Sequence, residues 1–222
     1  MQIINKRFYS PCLLAVSLVT SASWGKEADA TQLLKEFHSS VKTFEAQFAQ
    51  SVRDEKGKEI QKSSGTVYLL RPGKFRWDYL APDKQMVVSN GSKIWIYDPG
   101  LEQVTVKSLA SAIGQTPARV LTESRALETE FKLNNAGSRD GLQWVNLTPK
   151  STDGNYKSIE MGFATTLKTM IFKDNIGNVT RIEFSQTKLN PVLKHALFNF
   201  TVPKGVDVVD VVGDDELKIK EL

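Results

Sequence analysis

Arg71 is the residue whose chemistry most needs an explanation. In the stretch VYLLRPGKFRWDYLAP, Val67, Leu69 and Arg71 fall on alternate positions before a Pro-Gly turn. Phe75, Trp77 and Tyr79 fall on alternate positions after it. Alternation puts residues on one face of a strand, so a guanidinium shares a face with large apolar side chains. A buried charge without a partner is very costly, and no carboxylate in the alternation is placed to pair with it. Two readings are open. Beside a turn, the guanidinium can reach water. Facing inward, it needs acceptors, and the backbone carbonyls at the end of a covering helix suit five donors in a fixed fork. The aromatic trio also has two readings, an ordinary sheet core or the wall of a cavity.

Catalytic chemistry has little to work with. The chain has two histidines, His38 in a helical stretch and His195 near an expected strand start. It contains no Gly-x-Ser-x-Gly elbow, His-Glu-x-x-His pair or phosphate-binding loop. No Cys/His cluster could hold zinc, and the acids are scattered as on a solvated surface. These residues point away from an enzyme and call for no cofactor.

The elements that must position Arg71 begin after a targeting segment. Lys6 and Arg7 precede the apolar run FYSPCLLAVSLVT, followed by the small residues of SASWG. This is the pattern of a secretory signal peptide, with cleavage after Ser23 or Gly25. The run is short for a transmembrane span of about 20 residues. The single cysteine, Cys12, lies inside it, so the mature chain has neither disulfide nor thiolate site. Residues 1–25 are thus read as signal, and 26–222 as one domain without repeats or linkers. The formal net charge is +4, of which Lys6 and Arg7 supply two charges. The remainder does not call for nucleic acid.

Asp29 or Thr31 can cap a helix carrying Leu33, Leu34, Phe37 and Val41 at helical spacing. From Thr43 the period becomes two. Strands follow at Phe44–Phe48, SGTVYLL, KFRWDYL, KQMVVSN, KIWIYDP and EQVTV, separated by Arg-Pro-Gly, Ala-Pro-Asp and Asn-Gly turns. Residues 107–127 break the pattern with helix formers around Gly114 and Pro117, the latter placed for a first helical turn. Strands resume at EFKLNN, LQWVNLTP, KSIEMGF, LKTMIFKD, NVTRIEFS and HALFNFTVP. The expected fold is mainly β, a strongly curved, half-open antiparallel sheet of about eleven strands with helices over its concave face. Lys74, Arg76 and Asp78 are read as facing solvent. Charges on that face speak against a lipid-facing barrel wall.

The run RPGKFRWDYLAPDKQMVVSNGSKIWIYDPGLEQVTV resembles the LolA family of periplasmic outer-membrane lipoprotein carriers. The resemblance extends through Gly114, Thr116-Pro117, LTPKSTDGN and the closing FTVPKGVDV, from Phe44 to Asp207. It implies a half-open barrel with an N-terminal helix and a helical lid over a hydrophobic cavity. In this reading Arg71 is the lid latch, hydrogen-bonded to lid backbone. Val67, Leu69, Phe75, Trp77, Tyr79 and Val87 line the acyl cavity. Leu109, Ile113, Pro117 and Leu121 belong to the lid. The implied cargo is acylated lipoprotein. It is loaded by an inner-membrane ABC transporter complex and unloaded by an outer-membrane receptor lipoprotein, and the carrier is a monomer in the periplasm. A general lipid-binding or periplasmic lipid-sensing protein on the same fold is the alternative. The tail VVDVVGDDELKIKEL departs from the better-known members.

Overall fold

The computed structural model describes residues 29–109, 117–122, 127–151, 154–212 and 216–220. The expected signal segment lies outside them. Helix α1 (Ala30–Ser40) starts where the Asp29 carboxylate accepts the Thr31 N–H at 2.9 Å, which satisfies one of the free first-turn donors. It ends at Val41, whose N–H donates to the Phe37 carbonyl. Ala30, Leu34 and Phe37 form its buried face.

The chain then runs through β1 (Thr43–Arg53), β2 (Glu59–Leu70), β3 (Lys74–Ala81), β4 (Gln85–Asn90), β5 (Lys93–Asp98) and β6 (Gln103–Ser108). After helix α2 (Pro117–Thr122) and a 3-10 turn (Leu127–Thr129) come β7 (Phe131–Arg139), β8 (Leu142–Pro149), β9 (Tyr156–Phe163), β10 (Leu167–Asp174) and β11 (Val179–Leu189). The first six strands form one antiparallel meander and the next five another, and β1 joins them by pairing with β11. Tight turns set the registers. At the β1–β2 hairpin the Asp54 carboxylate accepts from the N–H groups of Lys56 and Lys58, and Gly57 takes φ +81°, a conformation that suits glycine.

Two features depart from the sequence reading. Among the described residues the sheet has thirteen strands, because the tail supplies β12 (Asp207–Val212), parallel to β6, and β13 (Glu216–Lys220), antiparallel to β12. Second, HALFNFTVP is not a strand. His195–Phe198 is a 3-10 turn, and the segment crosses the outer face of β3–β5 instead of pairing at an edge. Phe198 is buried there, and the Phe200 ring lies 6.3 Å from Trp95 and 5.6 Å from Tyr97. Arg76 and Asp78 pair at 2.8 Å and are half-buried. The Arg76 guanidinium also donates to the Leu197 carbonyl. They are therefore not the open solvent face that alternation suggested, because a crossing segment covers that side.

The main core lies between the concave face and the helices. Phe37 of α1 meets Phe44 and Phe163 edge-on at 6.0 Å each, and Phe44 meets Phe184 at 5.7 Å. The edge-to-face geometry suits aromatic quadrupoles, and it seats α1 on both meanders at once.

Candidate functional site: the Arg71 clasp and the apolar interior

Arg71 directly follows β2, in the turn to β3. Its own N–H donates to the Lys42 carbonyl at 2.9 Å, which fixes the residue beside the end of α1. Its side chain then reaches two helices. Nη1 donates to the carbonyls of Phe37 (3.1 Å), His38 (2.8 Å) and Val41 (2.5 Å), and Nε donates to that of Leu121 (2.8 Å). The last carbonyls of a helix have no partner inside it and carry its negative dipole end. A guanidinium at the α1 terminus satisfies both needs. Its carbon also lies 5.2 Å from the centre of the Phe37 ring. Two residues on, the turn ties to α2 again, since the Gly73 N–H donates to the Thr122 carbonyl at 3.2 Å.

Burial pulls the Arg71 pKa down to about 10, because desolvation disfavours the charged form. The group remains a cation at neutral pH. Of the two sequence readings, the inward one matches this geometry. Chain order alone did not show that α1 and α2 share the same guanidinium.

Val67, Leu69, Phe75 and Trp77 are buried in the main core, and Tyr79 and Val87 pack against it half-buried. Leu121 is buried in the same cluster, and Leu109 packs on its border. Pro117 opens α2, in the first-turn position expected of it. Ile113 lies outside the described residues. The interior includes residues to which the sequence reading gave no site role, among them Phe48, Phe163, Phe172, Met161 and Met170. Their alternation on β1, β9 and β10 carried the signal.

Beside the clasp is an open cleft of about 480 Å³, bounded by Leu34, Lys35, His38, Lys42, Arg71 and Glu128 among others. Lys35 and Glu128 pair across it at 3.0 Å. The hydrogen bond from Lys35 holds the Glu128 carboxyl below its ordinary range. No group of three or more metal-ligating side chains occurs among the described residues. Nor is any helix among them long and apolar enough to cross a membrane.

An apolar interior thus lies beneath two helices whose main-chain carbonyls share one guanidinium. Residues 39–201 match the family described as outer membrane lipoprotein carrier protein LolA. The chain belongs to the LolA family. Its relatives include an outer-membrane lipoprotein carrier protein of Dechloromonas aromatica, 40% identical over 94% of this chain and 98% of that one. Another, from Methylococcus capsulatus, is 43% identical over 84% of this chain and 92% of that one. A solved structure of an uncharacterized conserved protein from Thermus thermophilus shares the fold, with a TM-score of 0.51. It is 15% identical and covers 83% of this chain and 100% of that one.

Proposed function

We propose that this LolA-family protein is a periplasmic carrier that holds the acyl chains of lipoproteins in its interior, with Arg71 as the latch of the empty form. It is a carrier and not an enzyme. The observation that supports the latch is the set of four hydrogen bonds from one guanidinium to main-chain carbonyls of α1, the residue capping it, and α2. Main-chain acceptors make the tie depend on helix position and not on helix side chains. Moving either helix outward breaks it.

A latch has a physical purpose in such a carrier. Burying a methylene contributes about 0.8 kcal/mol, so one acyl chain of about 16 carbons, perfectly buried, approaches ~10 kcal/mol or more. Two or three such chains would reach or pass the ceiling on reversible affinity, about 18–21 kcal/mol. A carrier must bind less well than that in order to let go. Here α1 and α2 already cover the apolar wall. Cargo has to displace them and break the Arg71 bonds, which lowers its apparent affinity. Release restores those bonds, so transfer to a tighter-binding acceptor needs no nucleotide at this protein. In this reading an inner-membrane ABC transporter complex loads the carrier, and an outer-membrane receptor lipoprotein unloads it. The carrier works as a monomer.

Two experiments test the proposal. Native mass spectrometry of protein drawn gently from its own periplasm should show acylated lipoprotein bound. Phospholipid or free fatty acid alone would favour a general lipid-binding role instead. Arg71→Leu should bind cargo about tenfold more tightly and pass it to an acceptor more slowly. Transfer at the parent rate would sink the latch.

A further inference from the structure

The apolar interior carries a polar patch at the end of β1–β3 away from Arg71. Along β2 the buried positions are Ser63, Gly65, Val67 and Leu69, so Ser63 shares the inward face. The registers pair Ser63 with Gln50, Gly65 with Phe48 and Tyr79, and Val67 with Trp77. Gly65 projects no side chain; a Cβ there would run into the Asp78 main-chain carbonyl, with the Phe48 ring next to it. The centre of that ring lies 5.3 Å from that of Trp77 and 5.1 Å from that of Tyr79. Trp77 and Tyr79 thus flank the Phe48 ring, and Ser63 shares the inward face opposite Gln50, the residue that the Tyr79 hydroxyl reaches.

Of the polar ends of Ser63, Trp77 and Tyr79, two lack acceptors, and the third has only a long bond. Trp77 is 5% exposed and Ser63 9%, and neither Trp77 Nε1 nor Ser63 Oγ has a hydrogen-bond partner. The Tyr79 hydroxyl reaches Gln50 Oε1 only at 3.5 Å, a long bond for a phenol. Burial pushes the Tyr79 pKa up to about 12, so the phenol keeps its proton as a donor. An indole N–H can only donate. Buried donors without acceptors destabilise a fold, and hydrocarbon supplies none. The part of an acylated cargo that accepts without needing to donate is the carbonyl joining each chain to its head.

We propose that Ser63, Trp77 and Tyr79 form a carbonyl-binding subsite that takes the ester or amide oxygen at the head of a bound acyl chain. The carrier would then read the linkage as well as the hydrocarbon, and the carbonyl would set how far the chain enters. This inference rests on the carrier reading above and adds a specificity element to it.

A matched pair of single-chain lipids tests it: 1-palmitoyl lysophosphatidylcholine and its 1-hexadecyl ether analogue, which lacks the carbonyl. Binding to the folded protein is read by displacement of a fluorescent apolar probe. The expected result is tighter binding of the ester by about five- to tenfold, the scale of one net hydrogen bond. Trp77→Phe and Ser63→Ala should bring the ester-to-ether ratio towards one. Tyr79→Phe removes a single oxygen and tests the same ratio should either of those variants fold poorly. Equal binding of both lipids by the parent overturns the subsite and leaves the carrier reading standing. So does an unchanged ratio in all three variants, since ordered water then satisfies these donors. Binding of neither lipid, nor of acylated lipoprotein, overturns both readings together.

Discussion

The two faces of the sheet are covered in different ways. On the concave side, α1 and α2 lie over the large apolar wall, and Arg71 fastens them through hydrogen bonds to main-chain carbonyls. On the convex side, residues 195–200 lie over β3–β5, with Phe198 buried and Phe200 packed against Trp95 and Tyr97. Hydrogen bonds to carbonyls are exchangeable, because water or another donor can replace the guanidinium. Burial of a phenylalanine has no such substitute in water. One cover is suited to opening and the other to staying closed. The face with the exchangeable cover is the one proposed to hold cargo.

The strongest way to break this comparison is to charge the wall. Phe75 is fully buried, and Phe75→Glu places a carboxylate among apolar groups with no partner. Lipid loading should fall at least tenfold. Circular dichroism separates that loss from unfolding, and full loading by a folded variant would remove Phe75 from the wall.

Next in size is the convex cover. Phe198→Ala should cost about 3–5 kcal/mol in urea unfolding, as for other buried phenylalanines. Loading per folded molecule should stay within about twofold of the parent. A loss of loading without a loss of stability would mean that this cover opens too.

The smallest effect belongs to the rim of the cleft. Lys35 and Glu128 are well exposed, so Lys35→Ala should cost less than about 1 kcal/mol, and added salt should shrink it further. The pH dependence has a definite sign. The Glu128 pKa is lower folded than unfolded, so the pair stabilises above the ordinary glutamate value of about 4.3. That contribution disappears as pH falls through the folded value. Melting curves of parent and Lys35→Ala should therefore converge in acid. A gap that persists there would have another cause.

Legibility followed local patterning. The alternation Val67-Leu69 and Phe75-Trp77-Tyr79 identified the inward face, because successive strand residues must point to opposite sides. Turn residues located the hairpins, since the glycines of the Arg-Pro-Gly and Asn-Gly turns, Gly73 and Gly91, adopt positive φ. The same rule misled at HALFNFTVP. Alternating apolar residues also suit a chain that lies across a sheet, and nothing local separates that from a paired strand. Arg76 and Asp78 were misplaced for the same reason, since what covers them comes from more than a hundred residues further along the chain. Trp77 and Tyr79 were read only as apolar wall, and Ser63 drew no notice, because a serine in a strand carries no sign of being buried without a partner.

By itself, then, the sequence determined the strand pattern, the inward apolar face, the capped first helix and the need of Arg71 for acceptors. These follow from backbone geometry and from the cost of burying a charge, which act within a few residues. Tertiary structure decided which carbonyls Arg71 meets, that both helices share it, and that the tail adds β12 and β13 beside β6. It also decided which donors stay unpaired inside. Those outcomes depend on which distant segments share space, and on the desolvation that follows when they do.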